Sequence, residues 1–476
     1  MTTQLRDEVC GADFGDQRLN QRLVTVIEEL GAQPHLSIPA ATDGRAEMEG
    51  AYRFFDNDKV SPEKIREPHV ASTIERIAQC KIALLVQDTT ELDLTRPSRR
   101  VHGAGPMDCN VRRGAFHHPL LAFTIDGVPL GTVWQKTWAR ETIETSLTKT
   151  EKQKKIRATP IEQKESYRWI EGQRAARDIA AACPDTQCVC VSDSESDIYE
   201  MFSEPRTTQT ARGSVETQLE LVVRACHDRT TSTGHLLSDT RITEELFSDS
   251  VRVSARVAKI KTARSARTKS RDARMADVEV RSATVTLKPS PRPDRRLPPI
   301  EVNLVLVEEV KPPEGCDPIR WLLVTTLPVA SVEDVKQVIS IYCLRWQIEV
   351  YFRTLKSGCR VEARQFETLR RVENSLAVYS IIAWRVMYLC RLGRECPDLN
   401  CEVVFSKSEW KSICHIHNQG KVPAEPPTLN EMIRLIAGFG GYINRPKTEP
   451  GTQTLWIGLQ QLHCFSLSWD AFGPSS

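Results

Sequence analysis

Lys81-Ile-Ala-Leu-Leu-Val-Gln-Asp-Thr-Thr90 is the stretch where the chain changes character. Ile82 to Val86 is an unbroken apolar run of strand length, which predicts a strand buried on both faces. It ends at Asp88. A second such run, Gln187-Cys-Val-Cys-Val191, ends at Ser192-Asp193-Ser194-Glu195. Two buried strands that each stop at an acid, with hairpin and helix signals between them, predict an α/β chain. Its mixed sheet, flanked by helices, would gather carboxylates at one edge.

Upstream, the first 65 or so residues read as short helices. Asp16 can cap a helix carrying Leu19, Leu23, Val24, Ile27 and Leu30, closed by Gly31. Thr42 or Asp43 can open another through Tyr52, Phe54 and Phe55. Ser61-Pro62 sets an N-cap before a proline at the first helical position. Downstream, Leu120–Thr124 and Thr132–Trp138 flank an Asp126-Gly127 turn, a hairpin pattern. Ser166 to Cys183 is Ala-rich and helical, and Leu219 to Arg224 is a further strand. From about Cys226 to Pro318 the texture becomes alternating and β-like, in Val251–Val257, Ala283–Leu287 and Val302–Val307, between basic and proline-rich loops. Arg320-Trp-Leu-Leu-Val-Thr-Thr326 resumes the buried-strand style. After about Arg371 the chain is mainly helical, with a loop through Pro423, Pro426 and Pro427.

At 476 residues the chain has room for two or three domains, each with its own core. A hydrophobic content of 40% with 26% charged residues fits an ordinary globular protein and none of the disordered or fibrous classes. No stretch reads as a membrane helix, and Met-Thr-Thr-Gln-Leu-Arg-Asp-Glu lacks a signal-peptide core, so the expectation is a cytoplasmic protein without a membrane partner. Fifteen cysteines, an odd number, do not form a disulfide framework. Cys188 with Cys190, and Cys414 with His415 and His417, lack the paired C-x-x-C spacing of structural zinc. The net charge of +2 announces no polyanion, but its distribution does. Arg252 to Arg274, Arg96 to Arg113 and Lys149 to Arg157 are three basic clusters in one chain.

The late run Ile341-Tyr-Cys-Leu-Arg-Trp-Gln-Ile-Glu-Val-Tyr-Phe-Arg-Thr-Leu-Lys356 carries the chemistry. At about 100° per residue, Arg345, Glu349, Arg353 and Lys356 fall within roughly 80° of Tyr342. Leu344, Ile348, Tyr351 and Leu355 occupy another sector. One helix would therefore bury an apolar face and present a carboxylate ringed by cations and a phenol. Read alone, that face is a set of i,i+4 ion pairs such as Arg345–Glu349. Asp88 read alone caps a turn, and Asp193 read alone begins a helix. Read together, Asp88, Asp193 and Glu349 are three carboxylates that need divalent cations to coexist ionised. Two such cations would suit phosphodiester chemistry, with Arg345, Arg353, Lys356 and Tyr342 holding neighbouring phosphates.

With Asp88-Thr-Thr, Asp193-Ser-Glu-Ser-Asp197 and the Tyr-x2-Arg-x3-Glu-x6-Lys pattern at Tyr342, Arg345, Glu349 and Lys356, the chain resembles the bacterial DDE transposases of insertion-sequence family four, close to the transposon-five transposase. Supporting stretches are Gly15–Arg18, Glu49–Phe54, Lys164–Ser166 with Trp169, Arg320–Thr326 and Gly438-Phe-Gly with Trp456, so the likeness spans nearly the whole chain. The resemblance implies an RNase H-like catalytic core over 67–371, with a β-rich insertion at about 226–318. It also implies an N-terminal helical DNA-recognition domain over 1–66 and a C-terminal helical dimerisation region over 372–476. It assigns Asp88, Asp193 and Glu349 as ligands of two Mg²⁺ ions, for which Mn²⁺ can substitute.

The same resemblance implies end-DNA contacts by Tyr342, Arg345, Arg353 and Lys356. Trp321 would stack on a flipped base, with a strand-edge tryptophan in the core as the alternative reading. Arg18 and Arg22, one turn apart, would help read the terminal inverted repeat, and Leu435, Ile436 and Phe439 would meet a second subunit or pack within their own. The partners implied are double-stranded DNA, both transposon ends and target, and a second copy in a homodimer acting near the nucleoid. The implied reaction is cut-and-paste transposition through a hairpin intermediate, each subunit cutting in trans. Leu344 and Ser194 stand where a polar and a basic residue can occur in the family, which touches phosphate contacts and not the three ligands. A structure-specific nuclease without strand transfer and a non-catalytic DNA-binding regulator are the rival readings.

Overall fold

The computed structural model describes residues 5–96, 100–109, 111–141, 148–209, 216–253, 256–262, 265–271, 274–289, 291–292, 294–314, 318–445 and 448–473. The chain divides into two compact units, Lys81–Asp88 with Ser146–Gln347, and Met1–Cys80 with Thr89–Thr145 and Ile348–Ser476. They are called the sheet unit and the helical unit, and each is taken by itself.

The sheet unit is mixed α/β. Its strands run in the order Phe247–Val253, Arg274–Leu287, Ile300–Glu309, Arg320–Thr325, Glu220–Arg224, Gln187–Ser192 and Ile82–Gln87. The last three are mutually parallel, and the other neighbours are antiparallel. Ala83 to Val86 and Cys188 to Val191 are almost wholly buried, as their unbroken apolar runs require of strands covered on both faces. Helix Tyr167–Ala182 packs on the Gln187–Ser192 strand, and helix Val332–Leu344 packs on that strand and on Glu220–Arg224. Val335, Val338, Ile339 and Ile341 form the buried stripe of the second helix.

Most of the alternating region between Cys226 and Pro318 joins the main sheet. Three of its strands pair in succession onto Arg320–Thr325 and prolong the same sheet. Asn303 to Glu308 align with Thr325 to Arg320, and Val280, Val305 and Val307 are fully buried. The run Val251–Val257 is divided: one strand ends at Val253 and another starts at Arg256, pairing with Ser265–Arg271 in a basic hairpin. The side chains of the Arg252–Arg271 cluster lie outside the described residues.

The helical unit opens with helices Gln17–Ala32, Ile38–Ala41, Arg45–Asp56 and Pro62–Ile77. Asp16 accepts from Arg18 N, and Ser61 accepts from Lys64 N with Pro62 in the first turn, as their sequence predicts. Two boundaries differ. The first helix passes Gly31 to Ala32, and the third is capped by Gly44 rather than Thr42 or Asp43. Arg113–Thr124 and Pro129–Trp138 form the hairpin, with Gly127 at φ 82° in its turn. The long helix Leu369–Glu395 is the spine: Asn374 donates to Phe55 O, Arg371 pairs with Asp56, and Trp384 and Tyr379 are buried on it. That helix is long and apolar enough by composition to cross a membrane, contrary to the sequence reading. However, 78% of its apolar window is buried inside the protein, which makes it a core helix.

Helices Lys407–His417, Leu429–Phe439 and Thr452–Phe472 complete this unit, the first two opened by Ser406/Glu409 and Thr428/Glu431 capping boxes. Ile436, read as facing either a second subunit or its own core, is fully buried in its own core with Ile433, Leu455 and Leu462. The i, i+3, i+4 apolar pattern cannot distinguish those two fates. Leu435 and Phe439 remain partly exposed at the edge of that cluster. Every described cysteine is a free thiol.

Candidate active site

In the sheet unit, Val86 and Val191 face each other on adjacent parallel strands, and Asp88 and Asp193 each lie two residues beyond them. Neighbouring strands are about 4.8 Å apart and side chains alternate with period two, so both aspartates leave the sheet edge at one level and on one side. Asp88 is buried and receives Arg345 Nη1 at 2.7 Å on Oδ2. Asp193 is half-buried and caps a short turn, with Oδ1 accepting from Glu195 N at 2.8 Å. The turn is stiffened by Ser196, whose hydroxyl donates to Asp193 O. Asp197, four residues on, has another task. Its Oδ2 accepts from the Cys226 and His227 amides, both at 2.8 Å, and its Oδ1 accepts from Arg229 Nε at 2.9 Å.

Arg168 escaped the sequence reading. It starts the Tyr167–Ala182 helix, pairs with Glu195 at 2.8 Å and lies over the Trp169 ring at 5.3 Å. Burial lowers its pKa from the ordinary arginine value, against the fields of Glu195, Glu165, Asp88 and Asp193. The guanidinium thus lies in the field of both aspartates of the candidate site. Its only sequence signal was its place between Ser166 and Trp169, in a stretch that carried the resemblance but no chemistry.

The run Ile341–Lys356 is not one helix. Helix Val332–Leu344 stops at Arg345, and a second helix starts at Gln347. Arg345 N and Trp346 N bond back only three residues, to Tyr342 O and Cys343 O, which tightens the turn and resets the helical phase. The wheel therefore fails across the break. Tyr342, expected on the outward face, is buried, with its ring edge-on to Trp321 at 5.4 Å and the Arg345 guanidinium 5.9 Å away. Arg345, which read alone is a partner of Glu349, pairs with Asp88. Trp321 is half-buried at the start of its strand.

The rest of the motif lies in the helical unit. Glu349 is half-buried on helix Gln347–Arg353, above Ile348, Tyr351 and Phe352, which are buried as the apolar sector predicts. Arg353 is exposed. Thr354–Gly358 is a π turn in which Cys359 N reaches Thr354 O at 2.8 Å. It turns Lys356 toward Glu91 O at 2.7 Å and Glu362 at 3.2 Å.

Among the N-terminal helices, Arg18 is exposed and paired with Asp16, while Arg22 lies across Gly50, where a Cβ would come within 2.7 Å of its guanidinium. Arg45 and Arg53 both clasp Glu49. Part of the Arg96–Arg113 cluster is likewise engaged within the unit, Arg112 with Asp93 and Asp108 and Arg113 with Ala104 O; Arg99 lies outside the described residues. Lys154 and Lys155 are exposed.

The two aspartates suit a hard divalent cation. They offer oxygen donors at one level of a sheet edge, and the protein itself places a positive group on Asp88. A different group of metal-ligand types, Asp197, Cys226 and His227, brings its ligand atoms within 4.8 Å of one another. Asp197 is already committed there to Arg229 and two amides, so that group serves as a structural clasp.

Three family models match the chain: transposase DNA-binding over residues 1–60, transposase DDE domain over 136–384, and transposase Tn5 dimerisation domain over 381–469. The second includes Asp193 and Glu349 and starts after Asp88. A cryo-EM structure of a piggyBac transposase synaptic complex with hairpin DNA aligns over 97% of this chain and 74% of its own, at 10% identity and a TM-score of 0.37, a likeness that carries no argument. The three matches follow one another along the chain in the order recognise, cut and pair. The chain belongs to the DDE transposases, as a Tn5-like enzyme that binds DNA, works as a homodimer and depends on divalent metal.

Proposed function

We propose that this transposase works by cut and paste, with Asp88, Asp193 and Glu349 as the carboxylates of an RNase H-like active site. The observation that carries this reading is the matched placement of Asp88 and Asp193 two residues past the Val86–Val191 pair, beside Arg345 and Arg168. Two Mg²⁺ ions, or Mn²⁺ in their place, would be held by the three carboxylates. When bound they polarise the scissile phosphate, activate the attacking oxygen and stabilise the leaving one. Arg168 and the Asp193 turn fix the carboxylate framework. Tyr342, Arg345, Arg353 and Lys356 hold backbone phosphates, and Trp321 offers a stacking surface for a base turned out of the duplex.

In this reading, residues 1–66 bind the terminal inverted repeat with help from Arg18 and Arg22, 67–371 cut and join, and 372–476 pair two subunits. Nicking frees a 3′-hydroxyl, which attacks the opposite strand to close a hairpin. Water reopens the hairpin, and the 3′-hydroxyl then attacks target DNA. The enzyme would do this in the bacterial cytoplasm, on nucleoid DNA. The test is incubation with Mg²⁺, a labelled fragment carrying the repeat that flanks the coding region, and a supercoiled target. Joined product with a transient hairpin supports the reading, and cleavage without joining would make the protein a structure-specific nuclease.

A further inference from the structure

Arg345 stands where two demands collide. As a phosphate contact it should point at DNA, yet its Nη1 lies 2.7 Å from Oδ2 of Asp88, with both side chains nearly shielded from water. A divalent ion bound to Asp88 would sit about 2.0–2.5 Å from a carboxylate oxygen. A guanidinium on that same carboxylate then repels the ion at short range, in surroundings that screen little. The two cations are competitors for one carboxylate.

We propose that Arg345 couples the two ligands of the enzyme: it neutralises Asp88 while DNA is absent and hands Asp88 to the metal when a phosphate takes the guanidinium. This rests on the assignment of Asp88 as a metal ligand and of Arg345 as a phosphate contact. Arg345 is the residue at the break between helices Val332–Leu344 and Gln347–Arg353, where a change of side-chain direction disturbs no regular helical turn. A line of contacts joins it to the proposed stacking surface. Trp321 meets Tyr342 edge-on, the Arg345 guanidinium lies by the Tyr342 ring, and its Nη1 ends on Asp88. DNA seated on Trp321 and Tyr342 arrives beside the guanidinium that must leave. Arg168 stays behind in the field of Asp88 and Asp193, so the carboxylates are not left without any cation in the exchange. Linkage makes the effect reciprocal: DNA tightens metal binding by the factor by which metal tightens DNA binding.

The experiment measures Mn²⁺ binding to the full-length protein by electron paramagnetic resonance, with and without a duplex carrying the flanking inverted repeat. Asp88→Asn supplies the background from other carboxylates. For the wild type, DNA is expected to tighten the Asp88-dependent site by about tenfold, within the usual range of such couplings. Arg345→Gln without DNA is expected to bind Mn²⁺ about tenfold more tightly than the wild type, and to gain little more from DNA. Arg345→Lys, which keeps the charge and loses the fork, should stay nearer the wild type. Unchanged Mn²⁺ affinity in Arg345→Gln would overturn the coupling. Equal gains in Arg345→Gln and Arg345→Lys would assign the effect to a loosened helix break and overturn it as well. Asp88→Asn binding Mn²⁺ like the wild type would instead remove Asp88 from the metal site, a failure of the underlying reading that the other variants cannot imitate.

Discussion

Arg229 donates from Nε to Oδ1 of Asp197 across 2.9 Å, and the Asp197 side chain is wholly buried. Asp193, four residues earlier in the same acidic turn, is half-buried at the sheet edge. Two acids of one short motif therefore do different work. Removing Asp197 strands a guanidinium and two backbone amides, so Asp197→Ala is expected to cost about 3–5 kcal/mol of stability. Asp193→Ala, which loses one exposed cap, should cost about 1 kcal/mol. Urea unfolding of both variants checks this, and similar losses in the two would contradict the division of labour.

The N-terminal turn is tied down by a buried charge. Glu8 accepts from His69 Nδ1 and from Arg76 at 2.8 Å, and His69 Nε2 accepts from Thr132 N at 3.0 Å, so the imidazole is held neutral with its proton toward Glu8. Burial alone would raise the Glu8 pKa, but the hydrogen bonds from His69 and Arg76 and the charge of Arg76 bring it down to about 2 from 4.5. A carboxyl lowered on folding contributes stability above its unfolded pKa and loses it as pH falls through the folded one. A contribution of about 3 kcal/mol should therefore be complete above about pH 5 and vanish toward about pH 2. Glu8→Gln should flatten that part of the stability curve. Parallel curves for the two proteins would remove Glu8 as its source.

Ile436 and Leu435 are adjacent on one helix but differ in burial. Ile436→Ala should destabilise the fold by about 2–5 kcal/mol through the cavity it leaves. Thermal unfolding of the variant reads this, and a melting point equal to the wild type's would mean the side chain is not core.

Trp321 meets Tyr342 at 5.4 Å while remaining half-exposed. Trp321→Ala is expected to keep the first nick and to slow hairpin closure by the equivalent of about 1–3 kcal/mol of lost stacking. Time courses on nicked and intact ends separate the two steps. Equal slowing of both would assign Trp321 to general packing.

The parts of this fold that were legible in sequence share one physical trait: their signal is local. Ile82–Val86 and Gln187–Val191 read as strands because burial on both faces demands an unbroken apolar run, and Asp16 and Ser61 read as caps because a cap bonds its own helix. What escaped is set by distant partners or by departures from regular geometry. Arg345 and Asp88 are 257 positions apart, and nothing near either names the other. The break at Arg345 and the π turn at Thr354–Gly358 contain no proline, so the helical wheel ran through both and turned Tyr342 outward. Between Phe247 and Glu309 the β character was visible in part, without Ser265–Arg271 and without the break after Val253, and alternation does not say which edge a strand joins. Glu349 is proposed only through its spacing from Tyr342 and Arg345.

In the proposed reading Asp193, with Asp88 and Glu349, performs the chemistry rather than shaping the fold. The most direct measurement is strand joining by Asp193→Ala on pre-cleaved inverted-repeat ends with Mg²⁺ and supercoiled target, run beside a gel shift on the same ends. End binding should stay within about threefold of the wild type, since the charge removed is not a phosphate contact, and joining should fall to background. Joined product at the wild-type rate would contradict it.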